Sequence, residues 1–173
     1  GEAIRFGLQA IKNVGENTVL GILESRARLG SFHSIFQFCE SVDFKLLNRR
    51  VLESLIKSGA MDSFGARRSQ LHEMIDRAME RGQKLQREQA AGQSGLFAGG
   101  ASAGPAPEPA LPEIDEWPEQ TLLDAELATL GFYISGHPLA KHAARLKELG
   151  AIDLSAVEGH RYGEELTVSG MVM

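Results

Sequence analysis

Apolar positions in the first 90 residues recur at helical spacing in short bursts, each closed by a glycine or a small polar turn. Ile4, Leu8 and Ile11 predict a short helix over 3–11. Val19, Ile22 and Leu23 share one face of a second over 16–29, which Gly30 ends. Ser34, with Gln37 three positions on, has the form of a capping box for a helix over 35–41. Asn48 caps the next, "RRVLESLIKS", whose inward face is Val51, Leu52, Leu55 and Ile56. After the tight link "AMDSFG", a long helix is expected over 66–89, with Leu71, Met74, Ile75, Ala78 and Met79 inward. The links around Asn13–Gly15 and Ser63–Gly65 are each flanked by helical patterns about 50 positions apart, so they read as a weak internal repeat of poor mutual identity.

Periodicity then disappears. Residues 91–112, rich in Gly, Ala and Pro, read as a flexible linker. Order resumes with "EWPEQTLLDAELATLGF", where Pro118 suits a first helical turn, Leu122, Leu123, Leu127 and Leu130 make an apolar face and Gly131 stops it. A turn at Gly136–Pro138 and a helix over 139–149 follow, and "ELTVSGMVM" alternates like a strand. The predicted fold is mainly α. A helical domain with tandem helix–turn–helix corners fills 1–90, a linker 91–112, a helical connector 113–150, and a lead-in with a truncated strand 151–173. Both ends are abrupt, as in a piece of something longer.

Composition changes this picture little; charge changes it more. The chain has 173 residues, 43% hydrophobic and 24% charged, as expected for a soluble folded protein. No apolar run reaches membrane-spanning length, and Glu2 and Arg5 break any signal peptide. Cys39 is the single cysteine, which excludes an internal disulfide, fits an intracellular location and, within "SIFQFCESV", reads as a small core residue. The net charge is −5, but residues 1–90 carry 14 Lys and Arg against 11 Asp and Glu, while 91–173 carry 4 against 12. An acidic partner such as nucleic acid is therefore open to the first part only.

The corner "KNVG" has the chemistry of an anion site. A helix N-terminus leaves backbone N–H groups without partners, and its dipole favours negative charge. Gly15 would let a phosphate oxygen approach, Asn13 suits a left-handed turn, Val14 can tuck inward, and Lys12 adds a positive charge. The same pattern also fits a plain structural corner, and Glu16 counts against phosphate. The second corner, Ser63-Phe64-Gly65, is followed by Arg67 and Arg68, whose charges oppose the helix dipole; a nearby phosphate or simple solvation would account for them. In "GQSGLF", Leu96 and Phe97 are large apolar residues with nothing local to pack on, suited to a partner's pocket or to the chain's own long helix. Histidines 33, 72, 137, 142 and 160 are scattered, and His137-Pro138 reads as a turn. Asp124 and Glu126 read as solvated. No nucleotide loop, metal motif or self-contained active site is visible.

The order "IRFGLQAIKNVGENTV", "SIFQFCESVDFKLLNRRVLESLIKSGAMDSFG", "GQSGLF", "EWPEQTLLDAELATLGFYISGHPL" and "LTVSGMV" resembles the alpha subunits of the bacterial C-family replicative DNA polymerases, over essentially the whole chain. The resemblance implies tandem helix-hairpin-helix motifs leading from the polymerase fingers to the first strand of an OB-fold. It places contacts to primer–template phosphates on Lys12, Asn13, Val14 and Gly15, and a second corner on Ser63, Phe64 and Gly65, with Arg67 and Arg68 beside it. It places a sliding-clamp-binding peptide on Gln93, Ser94, Gly95, Leu96 and Phe97. The implied parent is a nucleotidyltransferase of the bacterial cytoplasm, working with other replisome subunits. Its Mg2+-dependent carboxylates lie in a palm domain upstream, so this piece would hold no cofactor and no catalysis.

Overall fold

In the computed structural model, residues 6–91, 107–152 and 154–170 are described. They fall into two compact units, Gly1–Phe132 and Tyr133–Met173.

The first unit is helical. Helices α1 (Glu16–Leu29), α2 (Ile35–Ser41) and α3 (Arg49–Lys57) lie where periodicity and caps place them. Ser34 Oγ accepts from Gln37 N at 3.0 Å and Asn48 Oδ1 from Val51 N at 3.0 Å, so both predicted caps form. Gln37 returns its side-chain oxygen one residue early, to His33 N at 2.8 Å. Ahead of α1, the described part of the predicted helix 3–11, residues 6–11, holds the 3-10 turn Leu8–Ala10, and 3–5 lie outside the described residues. The long helix expected over 66–89 begins two residues late. It divides at Met74, where ψ falls to −1°, giving α4 (Arg68–Glu73) and α5 (Ile75–Ala90). The two corners thus join the turn Leu8–Ala10 to α1, and α3 to α4 through the 3-10 turn Asp62–Phe64. Together they form tandem helix-hairpin-helix-like pairs.

The core of this unit is built from Ile35, Phe36, Cys39 and Val42 of the α2 region, Leu52, Leu55 and Ile56 of α3, and Leu71, Ile75 and Ala78 of α4–α5. Each large apolar side chain buried there stabilises the fold by roughly 1.5–3 kcal/mol. Burial first, and Glu40 beside it second, push the Cys39 thiol up to about 12, so it is a neutral core group. Helices α2 and α5 approach closely at Gly82, where an added methyl would be driven into the Cys39 carbonyl.

Helix α6 (Glu119–Leu130) starts after Pro118 and ends at Gly131, in the left-handed region with φ 84°. Residues 113–132, expected in a separate connector, pack as part of the first unit. An extended strap, 107–118, precedes α6 and is tied down along its length: Arg81 donates to Pro107 O at 2.9 Å, Ser34 to Glu108 Oε1 at 2.6 Å and Gln70 to Pro112 O at 2.8 Å. Trp117 closes edge-on against His72, ring centroids 5.4 Å apart.

The second unit holds a turn at Gly136–Pro138, in which His137 Nδ1 accepts from Leu139 N at 3.2 Å. The 3-10 turn Ala140–His142 and α7 (Ala143–Glu148) occupy the helix expected over 139–149. Strands β1 (Ala151–Ile152) and β2 (Thr167–Val168) pair in parallel, Ala151 opposite Thr167 and Ile152 opposite Val168. Of the strand predicted over 165–173, the pair Thr167–Val168 forms and has β1 as its partner, while 171–173 lie outside the described residues.

Candidate nucleic-acid interface

The first corner is a tight turn anchored at both ends. Val14 N donates to Ile11 O at 3.1 Å, and the side chains of Ile11 and Val14 are buried in the core. Between them Asn13 takes φ 68°, the one left-handed non-glycine among the described residues. Asparagine tolerates that region better than most residues because its short amide can bond locally. Here its Nδ2 donates to Ser54 Oγ on α3 at 3.0 Å. Lys12 N donates to Thr129 O at 2.9 Å, while the Lys12 side chain is exposed.

Gly15 is the N-cap of α1, with φ −80° and ψ 163°. Its carbonyl accepts the first helical bond, from Val19 N at 3.1 Å. Among the described residues no side chain caps this helix, and nothing lies within 4 Å of where a Gly15 Cβ would stand. Lys12, Gly15, Glu16 and Asn17 are exposed around this helix start, while Thr18 is buried. Glu16 sits exposed in the same turn, where a carboxylate already complements the dipole.

The second corner has the predicted turn but a different use for its donors. Gly65 is left-handed at φ 73°, Ser63 is exposed, and Phe64 packs against the core. At the start of α4, Arg68 N donates to Glu116 Oε2 at 2.7 Å and Ser69 N to Glu116 Oε1 at 2.9 Å. A carboxylate of the strap stands where a phosphate oxygen was expected. Partial burial pushes the Glu116 carboxyl up, but donation from the amides of Ser69, Trp117 and Arg68 outweighs it, and the net shift is downward.

The two arginines are likewise turned to internal partners. Arg67 Nη1 donates to Ile114 O at 2.6 Å and lies 3.4 Å from Asp115. Arg68, only 6% exposed, grips Asp62 through Nε at 2.9 Å and Nη2 at 2.7 Å, and Glu126 through Nη1 at 2.9 Å. Glu126 is 0% exposed, which corrects its expected solvated position: it is the buried counter-charge of Arg68. Asp124 stays exposed and accepts from Gln120 at 3.0 Å.

Gln93, Ser94, Gly95, Leu96 and Phe97 lie outside the described residues. Among the described residues no three of His, Cys, Asp and Glu are grouped to hold a metal ion, and no helix is long and apolar enough to cross a membrane. The residues missed from sequence are Ser54, Glu116 and Thr129. Each acts across more than 40 positions, and nothing local marks them.

A helix-hairpin-helix motif model matches residues 1–71. The chain is 35% identical over 171 residues to the DNA polymerase III subunit alpha of Vibrio cholerae, a match covering 99% of this chain and 15% of that protein. It is 35% identical over 171 residues to the same subunit of Escherichia coli strain K12, covering 98% and 15%, and 36% identical over 154 residues to that of Xylella fastidiosa, covering 89% and 13%. The chain therefore contains a helix-hairpin-helix region homologous to bacterial DNA polymerase III alpha subunits, and spans about 15% of the length of the relatives it matches.

Proposed function

We propose that this chain is the processivity segment of a replicative DNA polymerase: it grips the sugar–phosphate backbone of duplex DNA at the first corner and docks a sliding clamp through residues 93–97. The observation that carries the DNA reading is the open N-terminus of α1 beside exposed Lys12, on a turn held rigid by Ile11, Val14 and Asn13. Backbone N–H groups at a helix start bind phosphate without reading bases. Grip of this kind is independent of sequence and weakens with salt, with a slope of about −0.9 per phosphate engaged.

The clamp reading rests on the peptide itself. Gln93 at one end and Leu96-Phe97 at the other supply a hydrogen-bonding head and an apolar anchor, the chemistry of a small pocket-filling hot spot. A ring encircling the duplex that the corner grips would raise the effective concentration of each contact for the other. Template-directed synthesis, with its metal ions, would belong to segments of the parent outside this chain.

A second reading, a structural connector that binds the clamp but contacts little DNA, is favoured by the second corner, whose amides and arginines are taken up by Glu116, Asp62 and Glu126. Titration of a labelled duplex at low salt decides. Loss of affinity in Lys12→Ala supports the grip; equal affinity leaves the connector. Titration with the cognate clamp, repeated with Leu96→Ala plus Phe97→Ala, tests the peptide; undiminished clamp binding by the double variant overturns that part.

A further inference from the structure

We propose that Ser54 and the C-terminal turn of α6 are positioning elements for phosphate binding at the first corner, holding Asn13 and Lys12 in the turn that exposes the α1 amides. The inference rests on the phosphate reading given above and goes beyond it by naming what pre-organises the site. The last carbonyls of a helix lack intrahelical donors. The Thr129 carbonyl, one residue from the end of α6, takes its donor from Lys12 N at 2.9 Å. The Thr129 hydroxyl turns back into its own helix, donating to Ala125 O at 2.7 Å. On the other side, Ser54, itself buried, accepts from the Asn13 amide at 3.0 Å.

The corner is therefore braced by two helices distant in sequence. Asparagine tolerates left-handed backbone without being confined to it, so the tie to Ser54 narrows the conformations open to the turn. Helix α6 is in turn fixed by buried Leu123 and by Glu126 on Arg68. A chain of contacts runs from the α4 start, through Arg68 and α6, to the amide of Lys12. It gives the sealed second corner a role: it holds the prop for the open one. A braced corner loses little freedom when it meets a phosphate, and that raises affinity without adding a contact.

The test uses the whole chain and a fluorescein-labelled duplex of mixed sequence, followed by anisotropy at low salt. Loss of one neutral hydrogen bond predicts that Ser54→Ala weakens binding by about three- to tenfold. Ser54→Thr, which keeps the hydroxyl, restores it. The bond from Lys12 N to Thr129 O predicts slow hydrogen exchange of the Lys12 amide in the free protein, and Glu126→Gln should speed it and weaken the duplex complex; unchanged exchange and affinity in Glu126→Gln would overturn the role of α6. Unchanged affinity in Ser54→Ala, with Lys12→Ala still impaired, overturns the positioning role and leaves the phosphate reading standing. No effect from Lys12→Ala overturns both. Should Ser54→Ala fail to fold, Asn13→Gly decides, because glycine keeps the left-handed backbone and drops only the tie: weaker binding supports the brace, and equal or tighter binding overturns it.

Discussion

Arg68 and Glu126 meet 58 positions apart in sequence, with the guanidinium 2.9 Å from the carboxylate and their side chains 7% and 0% exposed. The pair fastens α6 to the start of α4. Asp62, half exposed, supplies the second carboxylate on the same guanidinium. The pair is one of the contacts that tie α6 into the first unit, which runs to Phe132.

Glu126→Ala is expected to destabilise the first unit by about 3 kcal/mol, the lower end of what removing one partner of a buried ion pair costs, because Asp62 still neutralises Arg68. Urea unfolding followed by circular dichroism measures it. A loss under about 1 kcal/mol, the range of a surface pair, would show that the burial contributes nothing.

Glu116 makes stability depend on pH. Its folded-state pKa lies below the ordinary carboxylate value, so the unfolded chain takes up its proton first as pH falls. Its contribution is fully present above the ordinary value of 4.5 and is lost as pH drops through the folded value. Glu116→Gln should therefore lower stability at neutral pH and flatten the acid side of the stability curve below about pH 4.5. Parallel wild-type and variant curves from pH 7 to pH 3 would show that the amide contacts do not favour the ionised form.

Gly82→Ala should cost about 1–3 kcal/mol, the usual range for overpacking, although alanine is the better helix former. The Cys39 carbonyl, part of the α2 backbone, is what the new methyl meets, and backbone yields less readily than a side-chain tip. Thermal denaturation gives the answer, and a raised melting temperature would mean that α2 and α5 separate at no cost.

The helices and caps were legible because their signals are local. Ser34 and Asn48 each cap an amide three positions ahead, and the Asn-x-Gly run at 13–15 carries the left-handed residue that the turn needs. The partner of Arg68 was not legible. Glu126 sits in an ordinary amphipathic pattern, and its burial comes from an arginine brought in by tertiary packing. Nor does anything near Glu116 in sequence mark it as the cap of a helix 48 positions earlier. The arginines at 67 and 68 did signal unusual surroundings by opposing the helix dipole; the anions proved to be the chain's own carboxylates.

Gly15 separates a role in the fold from a role toward a ligand. Its φ of −80° suits any residue, and a Cβ there would meet nothing within 4 Å. Gly15→Ala should therefore change stability by no more than about 1 kcal/mol, the cost of a poorer N-cap offset by a less flexible unfolded chain. On the phosphate reading, the methyl would nonetheless stand beside the opening amides of α1, which no side chain caps among the described residues, and would hinder an approaching phosphate oxygen. Duplex affinity at low salt should fall several-fold. Lys12→Ala should instead remove charge and make the salt dependence shallower by about one phosphate contact. Anisotropy titrations at three salt concentrations distinguish the two effects. If Gly15→Ala binds duplex as tightly as the unaltered chain, the oxygen does not come close to these amides, and whatever Lys12 contributes is long-range attraction rather than a seated contact.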